Sequence, residues 1–450
     1  MNPLRYRAFR FLYAFDRWRT RRFTPTGTAF TASLILTGIL QADSTGSLIY
    51  QVFTFTGAIV GLSTLYSFRF REKFRLRRTL PRFGTVGVPL QYRITIENGT
   101  DRWQRSLKLM ENFADPRPSY RELRNTPEPG EHRRNRLDQS LGYYRWLWLI
   151  RRNLRATTAT VTVPPIPPRS SVEVTLPLYP HSRGPVHLAE VFILRPDPFG
   201  LFHACQCLPL PQSLWILPHR YPLPPLQLLG GRRYQSGGVA LASAIGESDE
   251  FMSLRDYRPG DPLRKIHWKS WAKVNKPIVR EDQDEFFVRH ALILDTFQRE
   301  AYSEKLEEAI AIAASCASSF QSQESLLDLM FVGLEAYCFT AGRGVGHLDQ
   351  MLEILASVQA CSTQSFNSLQ PLVLERADLL SGCICIFLSW DDDRQALVQQ
   401  LEALRVPTLV LLLAEPGQTE ADFDRRPLTA PTTQFRTIPL DRIAPTLMTL

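Results

Sequence analysis

Residues 246–273 read GESDEFMSLRDYRPGDPLRKIHWKSWAK, a run dense in charged, aromatic and turn-forming residues that divides the chain into two regions of different character. Within it, the stretch from Arg258 to Pro262 predicts a tight turn, because proline presets φ and glycine permits a positive φ. Asp261 is placed to cap a helix whose first residue is Pro262, where a missing N–H costs nothing. Pro277 ends that helix, and extended chain follows it.

The predicted helix has an apolar face and a basic face. Apolar positions recur at helical spacing at Leu263, Ile266, Ser270 or Trp271, and Val274. The cations outside this stripe are Arg264, Lys265, Lys269, Lys273 and Lys276. We expect Trp271 to make a buried aromatic contact. Two interpretations of the basic face stay open: the segment is a structural lock between neighbouring domains, or this face is a docking surface for a partner.

The charged residues near the turn admit a catalytic and a structural interpretation. His267 with Asp256 and Asp261 has the composition of an acid–base cluster, but its place near the apolar stripe favours a hydrogen-bonded structural histidine. Arg255, Asp256 and Arg258 are expected to form buried ion pairs, which specify an arrangement more than they stabilise it. The candidate interaction residues are Arg255, Asp256, Tyr257, Arg258, Pro259, Gly260, Asp261, Arg264, Lys265, His267, Trp268, Lys269 and Lys273.

This run, extended by Ile278-Val279-Arg280-Glu281, resembles the signature of the domain of unknown function 58 family. A second element, Ser182-Arg183-Gly184-Pro185 followed by Asp197-Pro198-Phe199-Gly200-Leu201, is similar to the upstream half of that family. The resemblance covers most of the chain. It implies a membrane-tethered protein with a von Willebrand factor type A-like domain, in a family whose members are commonly associated with MoxR-type AAA+ ATPases.

Two apolar segments near the N-terminus predict a transmembrane hairpin. Between Phe23 and Phe68 the only charged residue is Asp43, and the segments 24–42 and 48–68 each approach the ~20 residues that span a bilayer as a helix. Arginines flank both outer ends, so the positive-inside rule predicts a two-pass protein of the inner membrane with both termini in the cytosol. The competing interpretation makes the first segment a cleaved signal peptide.

The net charge of +9 favours an anionic neighbour, and its distribution favours a lipid bilayer over a nucleic acid. The arginine and lysine clusters at residues 5–22 and 69–78 flank the hydrophobic segments instead of lining a groove. The seven cysteines include two C-x-C pairs but no pairing at zinc-site spacing, so we expect small core residues in a reducing compartment.

Residues 69–215 alternate apolar and polar residues between turns, which favours a β-sandwich. An insertion at about 115–158 is rich in arginine and aromatic residues. Such a mixture suits the headgroup boundary of a membrane, and the membrane-surface candidates are Tyr143, Trp146, Trp148 and Arg151. The alternatives are that the aromatic rings cap the sandwich core, or that the insertion binds a nucleic acid or a protein partner.

Beyond residue 288 the pattern changes to apolar strands that alternate with helices, which predicts a parallel sheet covered on both faces. The predicted strands are 288–295, 327–334, 383–389 and 408–413, and the predicted helices are 303–320, 348–358 and 394–404. The whole organisation is a basic cytosolic tail (1–23), a transmembrane helical hairpin (24–68), a β-sandwich (69–215), the signature segment (216–288) and an α/β domain similar to a von Willebrand factor type A fold (289–450).

The metal-ion site that the resemblance implies is degenerate in this sequence. Its D-x-S-x-S motif is replaced by Asp295-Thr-Phe-Gln-Arg299, and Mg²⁺ demands oxygen ligands that Phe297 and Arg299 do not supply. Thr340 and Asp391 or Asp392 are the positions where the remaining ligands are expected. We therefore expect no metal and no cofactor.

The sequence carries no nucleophile–base pair, phosphate loop or zinc spacing. The predicted function is a non-enzymatic, membrane-tethered scaffold or adaptor that recruits a protein partner, a MoxR-type AAA+ ATPase by the resemblance, with no nucleic acid. The alternatives are a metal-dependent adhesion-type binding protein and an uncharacterised enzyme.

Overall fold

The computed structural model describes residues 3–40, 48–68, 70–224, 226, 251–259, 263, 266–282, 288–300, 302–320, 325–333, 335–341, 345–424, 428 and 430–450. The chain divides into two compact units, Met1–His219 and Arg220–Leu450. The first unit contains the N-terminal helices and two β-sheets that share one core. The second is an α/β unit preceded by the signature segment.

Three helices open the first unit: α1 (Pro3–Arg22), α2 (Pro25–Leu40) and α3 (Leu48–Ser67). Among the described residues, α3 is the one helix whose 20 residues are long and apolar enough to cross a membrane, and α2 is a shorter apolar helix of 16 residues. The expected connector at Asp43 lies outside the described residues. The two helices pack together, since a Cβ at Gly38 would lie 3.1 Å from the ring of Phe53.

Two β-sheets enclose the core of the first unit. Their orders are β1-β3-β7-β5 and β2-β9-β8-β4-β6. The strands are β1 (Phe74–Thr79), β2 (Phe83–Thr85), β3 (Leu90–Asn98), β4 (Lys108–Phe113), β5 (Ala156–Thr158), β6 (Val161–Thr162), β7 (Ser171–Pro180), β8 (Gly184–Pro196) and β9 (His203–Leu217). Successive side chains of each strand point to opposite faces of its sheet, so every second residue faces the core. Ile94 and Ile96 of one sheet pack in one cluster with Leu109 and Ile193 of the other.

The insertion between β4 and β5 is helical. It contains α4 (Tyr120–Asn125), α5 (Arg136–Leu141) and α6 (Tyr143–Asn153). A capping box between Ser119 and Glu122 starts α4. The helix α1 packs on this insertion, where Phe9 joins Leu123, Trp146, Leu149 and Ile150 in a separate apolar cluster.

The signature segment forms a small antiparallel pair, β10 (Phe251–Asp256) with β11 (Ile278–Asp282), and the helix α7 (Trp268–Val274) lies between them in sequence. The helix is shorter than the sequence predicted: His267, not Asp261, is its capping residue. Residues Gly260, Asp261, Arg264 and Lys265 lie outside the described part of the chain. Asn275 ends the helix in the left-handed region, at a φ of 56°.

The rest of the second unit is a six-stranded sheet with helices between its strands. The strands are β12 (Val288–Leu294), β13 (Ser325–Val332), β14 (Ala336–Ala341), β15 (Gly382–Phe387), β16 (Thr408–Ala414) and β17 (Thr433–Pro439). The helices are α8 (Glu304–Phe320), α9 (Val345–Ser357), α10 (Gln370–Leu374), α11 (Asp392–Ala403) and α12 (Ile443–Met448). The spatial order is β14-β13-β12-β15-β16-β17, and all neighbours are parallel except β14, which is antiparallel to β13.

This order is the doubly wound arrangement in which the first strand is central and the chain first builds one side of the sheet, then the other. The strand order therefore reverses between β12 and β15, which is the topological switch point of the sheet. In such sheets ligands bind beyond the carboxyl ends of the strands at the switch point. Asp295 follows β12, and the turn containing Asp391 follows β15, so the two carboxylates come to the same place.

Candidate functional site

The carboxylate of Asp295 is completely buried at the switch point and is held on both of its oxygens. The backbone N–H of Phe297 donates to Oδ1 (3.0 Å), and the backbone N–H of Leu388 donates to Oδ2 (2.9 Å). The guanidinium of Arg394 donates to the same Oδ2 through Nε (2.7 Å). These bonds fix the orientation of the carboxylate.

Arg394 belongs to α11 and lies between two carboxylates. Asp391 caps that helix by accepting from the backbone N–H of Arg394 (3.2 Å), and the Nη1 of Arg394 donates to its other oxygen. The guanidinium lies over the ring of Phe366, with its carbon 4.6 Å from the ring centroid. The Arg394 side chain is 5% exposed, whereas that of Asp391 is 51% exposed.

The guanidinium of Arg394 is a cation that the protein itself places at the switch point. Burial raises the pKa of Asp295, and the guanidinium of Arg394 together with the two backbone N–H groups opposes that effect. Phe297 packs against Phe366, with ring centroids 5.5 Å apart, and Arg299 is exposed. A divalent ion at Asp295 would have to displace a hydrogen-bonded guanidinium from a buried carboxylate.

Thr340 is not part of this site, which corrects the sequence prediction. Its hydroxyl donates to Asp328 on the neighbouring strand (2.6 Å), and Asp328 pairs with Arg289 (2.7 Å). In the strand register Asp328 lies opposite Ala291, which is four residues before Asp295 and so about 13 Å away along the strand. Among the residues that the structure describes, no group of three or more His, Cys, Asp or Glu side chains is placed to hold a metal ion.

The helix α7 presents an aromatic and basic surface. Trp268 is 65% exposed and stacks on the half-buried Trp271, with ring centroids 5.1 Å apart and planes 17° apart. Lys269 and Lys273 are exposed on the same short helix. The expectation that Trp271 lies in a core is wrong, because its side chain is only half-buried. Of the other stripe positions, Ile266 is buried, Ser270 is half-buried, and Leu263 and Val274 are exposed.

His267 has a structural role at the start of α7. Its Nδ1 lies 2.8 Å from the hydroxyl of Ser270 and accepts from the backbone N–H of Ser270 (3.3 Å). Asp256 and Arg258 are exposed and Arg255 is half-buried, so the expectation that the three form buried ion pairs is wrong. The backbone N–H of Tyr257 donates to the carbonyl of Pro277 (2.9 Å), and Pro259 is exposed.

The membrane-surface candidates of the insertion are divided by the structure. Trp146 is 2% exposed and packs against Tyr6 and Phe9 of α1, with ring centroids 6.0 and 5.8 Å away, so its assignment to the membrane surface is wrong. Trp148 is half-buried, whereas Tyr143 and Arg151 are exposed.

Sequence reasoning missed Arg394, although a signal was present. Arg394 occupies the apolar stripe of α11, three, four and seven residues before the buried Leu397, Val398 and Leu401. A buried arginine needs an anion close by, and Asp295 at the end of an apolar strand needs a cation. The two requirements together would have paired them.

Comparisons with known proteins identify one domain. Residues 253–376 match the family described as "Protein of unknown function DUF58". Over 176 residues the chain is 27% identical to "Uncharacterized protein YeaD" of Bacillus subtilis (strain 168), a match that covers 39% of this chain and 42% of the length of that relative.

Two solved structures are similar to parts of the chain. One is a mutant alpha-2-macroglobulin of Salmonella, with a TM-score of 0.19 and 12% identity over 38% of this chain and 9% of that one. The other is a PapD-like domain of human CEP192, with a TM-score of 0.16 and 11% identity over 32% of this chain and 82% of that one.

Proposed function

We propose, from the DUF58 domain at residues 253–376 together with the surface of α7, that this protein is a membrane-tethered, non-enzymatic scaffold that recruits a protein partner. The observation that carries the proposal is the stacking of the exposed Trp268 on the half-buried Trp271, on the same short helix as the exposed Lys269 and Lys273. Large exposed aromatic surfaces are uncommon on monomeric proteins, and tryptophan is enriched among the residues that dominate binding energy at interfaces. The lysines add selectivity for an acidic partner.

The tether in this proposal is α2 with α3, crossing the inner membrane twice with both termini in the cytosol. The first unit supports it, because both outer ends of the hairpin are attached to the same β-sandwich. At the start of α2, the hydroxyl of Thr24 donates to the carbonyls of Gly200 and Leu201 (2.7 and 2.9 Å). After α3, Phe70 and Phe74 enter the sandwich core.

The α/β unit in this proposal is a von Willebrand factor type A-like module that works without a metal ion. Its strand order and its antiparallel edge strand β14 are compatible with such a module. Arg394 supports metal-independence, because it already neutralises Asp295. A MoxR-type AAA+ ATPase is the partner that the family resemblance supplies.

The docking experiment compares two variants of equal charge. Lys269→Glu with Lys273→Glu reverses the charge of the α7 surface. Arg299→Glu with Arg442→Glu makes the same change in net charge at two exposed positions elsewhere in the unit. In crosslinked affinity purification from the native membrane, we expect the α7 variant to lose the partner that the control variant retains, and binding by the control to weaken as salt is raised.

Retention of the same partner by a normally melting α7 variant, with unchanged salt dependence, would show that α7 is not the docking surface. The metal-dependent alternative has a separate test. We expect calorimetry with Mg²⁺ or Mn²⁺ to give the same heat for the wild-type chain and for Asp295→Ala. Binding that disappears in Asp295→Ala would favour an adhesion-type function instead.

A further inference from the structure

A cavity of about 420 Å³ lies between α1 and the β-sandwich in the first unit, and arginine dominates its wall. Four of the thirteen lining residues are arginines, against one carboxylate: Arg17, Arg21, Arg22 and Arg117, with Asp115. Asp115 is already paired with Arg117 at 2.5 Å. The cavity therefore carries a surplus of positive charge.

Two of these guanidinium groups converge on one neutral atom. The Nη2 atoms of Arg17 and Arg21 both donate to Oδ1 of Asn112, at 2.6 and 2.8 Å. The amide of Asn112 in turn donates to Glu190 (2.8 Å). Burial lowers the pKa of Arg21, and the like charge of Arg17 acts in the same direction. Two cations that share an amide oxygen keep donors free for an anion.

The cavity lies next to the ends of both apolar helices. Arg22 is three residues before the start of α2, and its guanidinium lies over the ring of Phe68, just after α3, at 6.0 Å from the centroid. Trp18, another lining residue, packs against Phe23 with ring centroids 5.5 Å apart. Tryptophan and arginine at the end of a membrane helix lie at the level of the lipid headgroups.

The outward face of α1 has the same character. Its exposed apolar residues follow each other at helical spacing, opposite the face that packs on the insertion: Leu4, Phe11, Phe15 and Trp18. Aromatic and apolar residues on one face of an arginine-rich helix are typical of helices that lie in the membrane interface. The mouth of the cavity would then open among headgroups.

We infer that this cavity binds the phosphate of an anionic lipid from the membrane that α2 and α3 cross. Guanidinium groups bind phosphate oxygens with paired, charge-assisted hydrogen bonds, and Asn112 holds two of them in a preset position. The inference rests on the proposed membrane tether. The lipid would fix α1 against the sandwich.

The test measures the melting temperature of the full chain in detergent as phosphatidylglycerol or phosphatidylcholine is added, because a ligand that binds the native state stabilises it. We expect phosphatidylglycerol to raise the melting temperature saturably and phosphatidylcholine to leave it unchanged. Arg17→Gln with Arg21→Gln should weaken the apparent affinity by roughly tenfold or more, since each lost bond is charge-assisted. The control is Arg7→Gln with Arg19→Gln, which removes the same charge from exposed positions of α1.

A second variant keeps the test decisive if the arginine pair is needed for folding. Asn112→Asp with Glu190→Gln leaves the net charge unchanged and moves the carboxylate to the point where the two guanidinium groups meet. This internal anion should raise the melting temperature in detergent alone and abolish the response to phosphatidylglycerol. A full response in this variant would overturn the inference.

An equal loss of affinity for phosphatidylglycerol in Arg17→Gln with Arg21→Gln and in the control would also overturn the inference. Binding would then depend only on the total charge of α1. Inorganic phosphate that saturates the site at the same concentration as the lipid would assign it to a soluble anion and contradict the lipid source. Carbonate extraction of membranes tests the tether separately. Release of the chain by carbonate would remove both proposals, whereas retention without a phosphatidylglycerol response would remove this one alone.

Discussion

Among the residues that the structure describes, both units contain a buried arginine–carboxylate pair, Arg78–Glu111 and Arg394–Asp295, and these two pairs differ in what surrounds them. In the β-sandwich, Arg78 pairs with Glu111 at 2.5 Å and both side chains are 0% exposed. The hydroxyl of Tyr92 donates to the same carboxylate (2.8 Å). In the α/β unit, Arg394 pairs with the buried Asp295 but also with Asp391, which is half exposed.

The difference separates a structural role from a candidate functional one. Arg78 on β1 and Glu111 on β4 belong to opposite sheets, so their pair joins the two layers in the core. The pair of Arg394 instead lies at the carboxyl ends of parallel strands, where this class of sheet places its ligands. A buried arginine–carboxylate pair therefore joins the two sheets in the core of the β-sandwich. In the α/β unit such a pair occupies the place where sheets of this class bind their ligands.

Breaking the enclosed pair should have the largest effect. Arg78→Met leaves Glu111 buried without a cation, and removal of one partner of a buried pair costs about 3–5 kcal/mol. The measurement is denaturant unfolding of the detergent-solubilised chain. Arg78→Met with Glu111→Leu should recover most of the loss, because no unpaired charge stays buried. A double variant as unstable as the single one would mean that the pair itself, not the stranded charge, stabilises the sandwich.

Breaking the pair at the switch point should cost less. Arg394→Ala leaves Asp295 with two backbone N–H donors, and the open side at Asp391 admits water, so we expect a loss of about 2–3 kcal/mol. Hydrogen exchange of the strand β12, compared with that of β4, would locate the loss in the α/β unit. A loss as large as that of Arg78→Met would contradict the distinction between the two pairs.

A buried histidine in the α/β unit should make its stability depend on pH. Burial lowers the pKa of His290 to about 4, below the ~6.5 of an unfolded chain. Between these two pH values the unfolded chain binds more protons than the folded chain. The stability that the neutral, buried His290 contributes is therefore fully present above pH 6.5 and is lost as the pH falls towards 4. The loss at pH 5.5 should be about 1 kcal/mol.

The check is exchange protection of β12 at pH 7.5 and 5.5, corrected for the intrinsic exchange rate. His290→Gln should flatten the pH dependence in that strand. An unchanged dependence in this variant would assign it to other groups, such as His203 in the sandwich, whose pKa is also lowered by burial.

Two tryptophans show which parts of the structure the sequence predicted and which it did not. The alternation of β3 and the apolar runs of β12 and β15 predicted strands, because local periodicity records which faces are buried. Trp146 was assigned to the membrane surface and Trp271 to a core, and neither environment was right. The partners of Trp146 are Tyr6 and Phe9, more than 130 residues away, and no periodicity records such a contact.

The candidate site shows the same limit. Asp295 and Asp391 were predicted as positions of a degenerate metal site, and the parallel sheet brings them together because each follows one of two neighbouring strands. Thr340 was placed with them by analogy with a metal site, but the antiparallel direction of β14 carries it to Asp328 instead. Arg394 was missed because no local spacing connects it with Asp295, 99 residues away; only the need of each buried charge for a partner relates the two.

A substitution on the surface of α7 should have the smallest effect on stability. It extends the comparison of the enclosed pair Arg78–Glu111 and the partly open pair Arg394–Asp295 to an exposed side chain. Trp268 is 65% exposed, so Trp268→Ser removes little buried area and should change the free energy of unfolding by less than ~0.5 kcal/mol. Partner capture should nevertheless fall, since tryptophan is enriched among the residues that dominate binding energy at interfaces. The matched control is Trp103→Ser, another tryptophan at 53% exposure in the first unit, which should retain the partner. If Trp268→Ser unfolds the chain as Arg78→Met does, α7 is a packed element and the docking role fails with it.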